Sequence, residues 1–430
     1  MIRNCISGAG DCDGGAHMKA IRSFTIITIL LMLMGSALFI CNAEDDNIIA
    51  SGKCGEDVYW SIDYSEKMII WGTGPMYDYS TSGDNPSPWY DRYTVNEVVI
   101  RDGVTSIGDA AFRYMNSLKQ LTIGRSVKRI GEFAFEETSL YNVMIPGNVE
   151  TIEECAFFRC FNNQNKQNVT LSEGLKYIGP SAFDGGASRH LCSPLPSTLT
   201  YIGRLGLSVD NSTLTIPGSL KKIGRQAFYG SQMKTLVIMD GVTEIGVNAF
   251  GSCTQLNKVI LPKSVKKIGK SAFDHCIRLQ NFKIPSTITT IPEDAFMDCT
   301  SLKSIVIPGN IKTIDSGAFY NCKKLKSVTI KKGVKNIRDH AFAGCTGLKT
   351  LKLPSSVKSI GSFAFYYSKV KTITVKTRKL TMKSVHDSLR YSKVKTIRVS
   401  LGSKSLNRKY VKKYKRFFAK SNSGRKVKVK

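Results

Sequence analysis

The sequence predicts a mostly β repeat solenoid of the α/β type, with short helical or 3-10 turns between its strands. Two observations support this prediction. The motifs "DAFMDC", "GAFYNC" and "HAFAGC" follow one another at a fixed interval of 23 residues. The apolar positions around each motif recur at the same interval, and one repeat unit has too few of them to bury a core by itself. Stacking about 13 coils of roughly 23 residues gives each unit a neighbour that covers its apolar face.

An Ala-Phe pair marks each regular unit and fixes its register. We expect the phenylalanines to form one buried column, in which Leu207 and Leu389 represent two degenerate units. From Phe250 to Phe365 every step in the column is 23 residues. The column comprises Phe112, Phe135, Phe157, Phe183, Phe228, Phe250, Phe273, Phe296, Phe319, Phe342 and Phe365. The phrase around each pair is too short for a stable free helix, so a short helical or 3-10 turn is predicted.

A segment of the form L-x-x-I-x-I follows each turn. In the unit at Leu302 its further members are Ile305 and Ile307, and this period-two alternation predicts a strand with one buried face. Pro308 closes the segment, because proline has no N–H to donate to a ladder. The strands are therefore expected to stack as one parallel sheet, about 4.8 Å apart.

The unit "LKSIVIPGNIKTIDSGAFYNC" resembles the BspA-type leucine-rich repeat, written I-x-x-x-A-F-x-x-C-x-x-L-x-x-I-x-I-P. The resemblance covers residues 95–399, about 70% of the chain. It implies a leucine-rich repeat solenoid and a role in adhesion or another surface interaction, as in surface proteins of Gram-positive gut bacteria. Two units depart from the pattern, around "FFRCFNNQNKQNVTL" and "DGGASRHLCSPLPSTL", and we expect insertions at the edge of the solenoid there.

Residues 44–94 precede the first repeat and predict a β-hairpin cap. The expected strands are Val58–Ile62 and Met68–Trp71, joined by a polar turn. A solenoid must cover the exposed core face of its first coil. We expect Trp60 and Trp71 to do so, because tryptophan offers a large apolar area.

Residues 400–430 predict a basic helical cap at the other end. The segment "SLNRKYVKKYKRFF" places its apolar residues on one helical face, with Ser405 as the N-cap and Gly424 as a stop beyond it. From Val357 onward the chain has 23 Lys and Arg against one acid, so most of the net charge of +29 lies there. Two compatible interpretations follow: a cap with a solvated outer face, or a module that binds an anionic cell-wall polymer, anionic lipid or acidic glycan. The candidate polyanion-binding residues are Lys409, Lys412, Lys413, Lys415, Arg416, Arg425 and Lys426.

Six cysteines recur three residues after a column phenylalanine. We expect them to line the core as reduced thiols, because stacked side chains in one column run parallel and do not meet in disulfide geometry. The six are Cys160, Cys253, Cys276, Cys299, Cys322 and Cys345. Cys54, Cys155 and Cys192 lie outside this column, and pairing among them stays open. No cysteine spacing matches a zinc site.

Residues 18–43 have the order of a secretory signal peptide. Lys19 and Arg22 form a basic start, an apolar stretch follows, and Ala43 ends a small-residue site. The sequence therefore predicts an exported protein, which is secreted or displayed at a bacterial cell surface.

Signal peptides stand at the extreme N-terminus, so Met18 is the expected true start and residues 1–17 are a mis-assigned extension. Two alternatives stay open. The apolar residues 24–41 are nearly long enough to remain as a membrane anchor. Cys41 would be the acylated residue of a lipoprotein.

No catalytic or nucleotide-binding motif occurs: the sequence has no H-E-x-x-H, no G-x-S-x-G and no Walker-type loop. We therefore predict no cofactor, no metal and no enzymatic activity. The outward positions of the predicted strands instead present rows of lysine and small polar groups, which suit an extended anionic partner. The candidate ligand-facing residues are Lys258, Lys283, Lys303, Val306, Lys326, Thr329, Lys349 and Lys352. Alternatively, these lysines only keep the sheet soluble.

The sequence favours an exported, non-catalytic binding or adhesion scaffold for extracellular proteins or glycans of a host or of neighbouring cells. Nucleic acid is not an expected partner of an exported protein, and a membrane would be contacted only through an uncleaved signal segment. One alternative is a wall-associated spacer that is held by its basic C-terminus and has no specific ligand. Another is a hydrolase with an unrecognised site in the insertions near Cys160 or Cys192.

Overall fold

The computed structural model describes residues 47–80, 82, 84–160, 168–185 and 190–430. The predicted extension at 1–17, the signal peptide at 18–43 and its two alternatives lie outside these residues, as do parts of both predicted insertions. From Ile49 onward the chain forms one compact unit. No helix in the described part of the chain has the length and apolar composition that crossing a bilayer requires.

The N-terminal cap is a β-hairpin whose second strand starts the solenoid. The cap contains β1 (Ile48–Lys53), β2 (Gly55–Asp63) and β3 (Lys67–Met76), and β2 pairs antiparallel with β3. β3 then pairs in parallel with β4 (Glu97–Ile100) through its first half and with β5 (Val104–Ile107) near its end. The hairpin therefore provides the template for two separate strand ladders.

The first ladder is formed by the L-x-x-I-x-I segments, here called the long strands. They pair in parallel and in register, so that Leu214 lies beside Leu236 and Ile216 beside Ile238. After β4 the long strands are β6 (Gln120–Ile123), β8 (Asn142–Ile145), β10 (Asn168–Leu171), β12 (His190–Leu191), β14 (Thr213–Ile216), β16 (Thr235–Ile238), β18 (Lys258–Ile260), β21 (Ser304–Ile307), β23 (Ser327–Ile330), β25 (Thr350–Leu353), β27 (Thr372–Val375), β28 (Thr396–Val399) and the final β29 (Lys428–Val429).

A second ladder of mostly two-residue strands, here called the short strands, runs along an adjacent edge of the coils. The prediction of one sheet missed it, because two residues are too few to show a strand period. After β5 the short strands are β7 (Arg129–Ile130), β9 (Thr151–Ile152), β11 (Tyr177–Ile178), β13 (Tyr201–Ile202), β15 (Lys222–Ile223), β17 (Glu244–Ile245), β19 (Lys267–Ile268), β20 (Thr290–Ile291), β22 (Thr313–Ile314), β24 (Asn336–Ile337) and β26 (Ser359–Ile360). Together the ladders give the predicted solenoid of about 13 coils with little helix.

The Ala-Phe motif forms a turn that is hydrogen-bonded to the turn of the next coil. The stacked turns form one edge of the solenoid, here called the turn edge. Two residues of the motif have left-handed backbone conformations: beside Phe250 these are Asn248, with φ 53°, and Ser252, with φ 57°. Left-handed residues at this spacing stop a right-handed helix from propagating. The alternate N–H groups point to the next coil instead, where Phe250 donates to the Ala272 carbonyl at 3.0 Å and Ser252 to that of Asp274 at 2.8 Å. A 3-10 turn does occur at Lys383–Val385, in the last degenerate unit.

The column phenylalanines form a buried spine along the turn edge. Neighbouring rings within each run lie 5.1–6.2 Å apart between centroids, with planes within 4–11° of parallel. All of the rings are at most 1% exposed. Leu207 pairs with Phe183 and fills the gap before Phe228. The spine therefore supplies one continuous apolar contact from coil to coil.

Trp89 extends the spine into the N-terminal cap. Its ring is fully buried, stacks 5.4 Å from Phe112, and donates its Nε1–H to the Ala111 carbonyl at 2.7 Å. Trp60 packs edge-on against Trp89 at 5.4 Å. The expectation for Trp71 was wrong: it lies on the opposite face of the hairpin, because side chains alternate along a strand, and stacks on a neighbouring tyrosine.

The column cysteines are buried and stand in the reduced state. Each donates to the phenylalanine carbonyl of an earlier coil, as Cys276 Sγ does to Phe250 at 3.3 Å and Cys299 Sγ to Phe273 at 3.2 Å. Burial raises the pKa of Cys345 to about 12 and holds the pKa of Cys299 well above its ordinary value. The sulfurs therefore stay protonated and act as hydrogen-bond donors within the core. Outside the column, Cys54, Cys155 and Cys192 are also reduced.

The C-terminal cap contains α1 (Lys404–Phe417) and the short α2 (Lys420–Ser423). The predicted N-cap Ser405 was wrong by two residues. Ser403 has the extended backbone that a cap requires, and its Oγ accepts the Leu406 N–H at 3.2 Å. Gly424 ends α2 in a left-handed conformation, with φ 75°.

The cap is tied to the last coils by side-chain and strand contacts. Tyr414 is buried and donates to the Thr377 carbonyl at 2.6 Å. After α2 the chain returns as β29, which pairs in parallel with β28. The C-terminal residues are therefore part of the solenoid and not a free tail.

Candidate binding surface

The outward side chains of the long strands from β16 to β28 form one surface, here called the strand face. All eight predicted ligand-facing residues are exposed on it: Lys258, Lys283, Lys303, Val306, Lys326, Thr329, Lys349 and Lys352. The alternation in β21 shows why, since Ile305 and Ile307 are buried whereas Val306 between them is 51% exposed. The sequence pattern therefore predicted the exposure of these side chains, and their contact with a ligand stays a prediction.

The charges of the strand face are unbalanced. None of its long-strand segments contains an acidic residue. None of the predicted strand-face lysines forms an ion pair with any described residue. On other edges of the same coils some cations are paired, with Lys267 Nζ 2.5 Å from Glu244 Oε1 and Lys270 Nζ 2.6 Å from Glu293 Oε1. The strand face therefore has a positive potential that attracts anionic groups.

A groove of about 910 Å³ opens in the strand face beside β18. Apolar side chains form its floor, among them Val259, Phe282 and Ile284. Polar and cationic groups line it as well, including Lys258 and Lys283 from the predicted set. Sequence reasoning missed the groove, because it depends on how two successive coils separate and not on the identity of any one residue.

The basic face of α1 is the second predicted surface. The side chains of Lys409, Lys412, Lys413, Lys415, Arg416 and Lys426 are exposed. Lys413 lies over the rings of Tyr410 and Phe417, 5.4 Å from each centroid. Arg425 differs from the others, since it is half-buried and its Nε donates to the Val394 carbonyl at 2.8 Å. Arg425 therefore holds the cap in place and is less available to a ligand.

One group of potential metal ligands occurs in the described residues, at the turn edge. Nδ1 of His275 lies 2.8 Å from Asp274 Oδ1, and Nε2 lies 3.6 Å from Asp298 Oδ2. Asn321 donates to the second oxygen of Asp298. Burial raises the pKa of Asp274, against the lowering effect of His275. The imidazole thus already bridges the two carboxylates, and its ring is half exposed to solvent.

A half-buried aromatic cluster also lies on the turn edge, near the C-terminal cap. The rings of His340 and Phe363 stack at 5.2 Å, and Tyr366 contacts both Phe363 and Tyr391 edge-on, at 6.0 and 5.8 Å. Arg390 lies over Phe363 and Tyr391. The aromatic run "FAFYY" was a sequence indication of this cluster, but the spine explained only one of its rings.

The sequence profile of the BspA type leucine-rich repeat region matches the chain in six copies, over residues 87–208, 221–346 and 312–413. The chain is similar to a leucine-rich repeat protein from Bacteroides ovatus, with 21% identity, coverage of 87% of this chain and 98% of that chain, and a TM-score of 0.54. At this identity the similarity shows the fold alone.

Two further solved structures are similar to the chain. A leucine-rich repeat protein from Eubacterium ventriosum has 24% identity, covers 75% of this chain and 96% of its own, and gives a TM-score of 0.46. A leucine rich cell surface protein from Faecalibacterium prausnitzii has 25% identity, covers 83% of this chain and 96% of its own, and gives a TM-score of 0.39. No curated protein matches the chain.

Proposed function

Because the chain belongs to the BspA-type leucine-rich repeat family, we propose that it is an exported, non-catalytic adhesion scaffold at a bacterial cell surface. The strand face is its binding surface, and the ligand is an anionic extracellular protein or glycan. Repeat solenoids present extended surfaces of this kind, on which many weak contacts add up along a long partner.

The unpaired lysines of the strand face are the observation that carries this proposal. A surface that needed lysine only for solubility would gain as much from the mixed charges that other edges of the same coils have. Lys303, Lys326 and Lys349 instead stand directly before successive long strands, at equivalent positions 23 residues apart, and none of these strands contains an acid. Such a row matches a ligand with regularly spaced negative charges.

The experiment compares two charge-reversal variants on an array of sulfated and carboxylated glycans and of acidic extracellular matrix proteins. The first variant is Lys303→Glu, Lys326→Glu, Lys349→Glu. The matched control is Lys312→Glu, Lys335→Glu, Lys358→Glu, which reverses three exposed lysines of neighbouring coils just before their short strands. Both variants change the net charge equally, so only the position of the charge differs.

We expect the wild-type protein and the control to bind the same array members saturably, and the strand-face variant to bind them at least about tenfold more weakly. Equal losses in both variants would assign the binding to overall charge and contradict the proposal. An array without a saturable ligand at micromolar protein would also contradict it.

A wall-associated spacer is the second candidate, and the exposed cations of α1 favour it. The corresponding variant is Lys409→Gln, Lys412→Gln, Lys415→Gln, Arg416→Gln, which leaves the packed Tyr414 in place. If the helix anchors the protein, this variant is released from cell walls at lower salt than the wild type. Retention at unchanged salt would remove the spacer interpretation.

A further inference from the structure

Two successive coils separate on the side of the solenoid that carries the long and short strands, here called the strand side. The junction between these two coils follows β18. In regular coils the hydrogen bonds continue: Asn257 N–H donates to the Lys234 carbonyl at 2.9 Å, and Lys303 N–H to that of Gln280 at 2.9 Å. Among the described residues no equivalent bond joins Gln280 to Asn257, and β18 is the last strand of its sheet. On its other side the segment from Gln280 to Ile284 is held by the bond from Lys303 and by an isolated bridge between Asn281 and Ser304. The long-strand ladder is therefore open between β18 and this segment.

The short-strand ladder is open at the same junction. Gly269 N–H donates to the Ile245 carbonyl at 2.7 Å, and Asp315 N–H to that of Ile291 at 2.9 Å. The residue between them in this column is Pro292, which has no N–H. β19 and β20 accordingly belong to different sheets. The opening therefore extends across both ladders.

The turn edge remains closed across the junction. Ser271, Phe273 and His275 donate to the next coil at 2.9, 3.0 and 2.8 Å, as in other coils. The spine also continues, with Phe273 and Phe296 5.8 Å apart. The two coils thus stay joined by backbone bonds along the turn edge, whereas between the two open ladders a side-chain bond from Thr287 Oγ1 to the Val265 carbonyl crosses the junction.

Phe282 supplies a physical reason for the opening. The inward position that it occupies in its coil holds an aliphatic residue in the neighbouring coils, Val259 and Ile305. Its ring packs edge-on between Phe273 and Phe296, at 5.1 and 4.6 Å between centroids. A ring of this volume beside the spine pushes the strand side of the coils apart.

The resulting groove has a composition that a peptide strand would match. Its walls carry backbone N–H and C=O groups of β18 and of the Gln280–Ile284 segment that no neighbouring strand uses. Unpaired strand edges accept an added strand. The floor is apolar, and Lys258, Lys283 and Lys331 line the groove without an acidic residue.

From this geometry we propose that the groove binds an extended acidic peptide segment of a partner protein by strand addition. The peptide backbone pairs with the free edge of β18, alternate apolar side chains cover Phe282 and Ile284, and acidic side chains reach Lys258 and Lys283. This proposal rests on the proposed function, since it assigns a specific protein ligand to the strand face. A sulfated glycan fits less well, because it has neither the backbone donors nor the apolar side chains that the groove would satisfy.

The test uses a fluorescent heptapeptide of alternating Glu and Val as the probe, with the purified protein from residue 44 onward. Two control peptides separate the contribution of charge from that of backbone pairing. One has alternating Lys and Val, and the other is the Glu-Val peptide with methylated alternate backbone nitrogens. We expect saturable binding at one site for the Glu-Val peptide and at least tenfold weaker binding for both controls. Equal binding of the methylated peptide would contradict strand addition.

The variant that closes the groove is Phe282→Leu with Pro292→Gly. Glycine fits the tight stacking there, because a Cβ at the equivalent Gly269 would lie 2.5 Å from a backbone carbon of the preceding coil. We expect this variant to lose peptide binding and to keep the glycan or matrix binding of the strand face. Peptide binding that survives closure would overturn the proposal.

A second variant guards against misfolding of the first. Val306→Glu places an anion at an exposed position that lines the groove, so the core is not disturbed. It should weaken binding of the acidic peptide about tenfold or more, because like charges repel. The reduced strand-face variant Lys326→Glu with Lys349→Glu changes residues that do not line the groove and leaves in place Lys303, whose Nζ donates to the groove-lining Gln280 at 2.8 Å. Loss of array binding in that variant with intact peptide binding would keep the two proposals separate.

Hydrogen exchange locates the bound peptide. We expect the probe to protect the amide of Val259 and amides of Asn281–Ile284, and to leave those of the turn edge unchanged. Protection by a heparin oligosaccharide in place of the peptide, or concentration-dependent self-association through the same amides, would show another occupant and overturn the proposal.

Discussion

The coils are joined differently at the turn edge and on the strand side of the solenoid. At the turn edge, the backbone bond from Phe273 to Ala295, the stacked rings and the thiol of Cys299 join the coils across the junction after β18. On the strand side the ladders divide into several sheets, and at this junction both are open. The turn edge therefore specifies how the coils stack, and the strand side is free to vary in shape. The proposed ligands use the variable side.

Removal of a spine ring should have the largest effect. Phe319 is fully buried between Phe296 and Phe342, at 5.4 Å from each. Phe319→Ala should lower the free energy of unfolding by about 3–5 kcal/mol, through lost contacts and the cavity left behind. Urea titration measures this. A loss below about 1 kcal/mol would mean that the turn edge does not hold the coils together.

The groove-closing variant tests whether Phe282 and Pro292 keep the strand side open at this junction. Each ladder hydrogen bond that Phe282→Leu with Pro292→Gly restores should contribute about 1 kcal/mol. We expect slower amide exchange at Gln280–Ile284, together with unfolding at higher urea than a Pro292→Gly single variant. Unchanged exchange rates would show that Phe282 is not the cause of the opening.

Because of the buried thiol column, the free energy of unfolding should depend on pH in the alkaline range. Burial raises the pKa of Cys299 and Cys322, whereas an unfolded thiol titrates near pH 8.5, at roughly its ordinary value. Above that pH the unfolded chain loses protons that the folded chain keeps, so stability falls as pH rises. The fall approaches about 1.4 kcal/mol per pH unit for each such thiol.

The measurement is the free energy of unfolding between pH 7 and 10, in reductant, for the wild type and for Cys299→Ala with Cys322→Ala. Lysines titrate equally in both proteins, so the difference in slope reports the thiols. A variant that loses stability with pH as steeply as the wild type would contradict buried, protonated sulfurs.

The smallest predicted effect concerns the C-terminal cap. Ser403→Ala should cost about 1 kcal/mol, because the Leu406 N–H loses its acceptor. The matched variant Ser405→Ala lies inside α1 and should cost close to nothing, because alanine is the best helix former. Thermal unfolding of both variants checks this, and a larger loss at Ser405 would restore the original cap assignment.

The repeat made most of the fold predictable from the sequence. The spacing of the phenylalanines gave the register of the coils, and period-two alternation put Val306 outward and Ile305 inward. Trp89 was missed because one tryptophan outside the repeat has no periodicity, and its role depends on the end of the spine. Ser403 was missed because both serines suit a cap, and only the backbone conformation distinguishes them.

The groove could not be predicted in the same way. Phe282 obeys the apolar pattern of its column, so pattern matching treats it as an ordinary member. Its effect comes from ring volume next to Phe273 and Phe296, and from the coincidence with Pro292 in the same coil. Such packing conflicts appear only in three dimensions.

Hydrogen exchange of the unliganded protein is the most direct test of this contrast between the two edges. We expect slow exchange for the bonded amides of Ser271 and Phe273 and for Asn257, and fast exchange for Gln280, which lacks a partner in the preceding coil. Equal protection of Gln280 and Asn257 would mean that the ladder is closed at this junction, and would contradict both the opening and the site built on it.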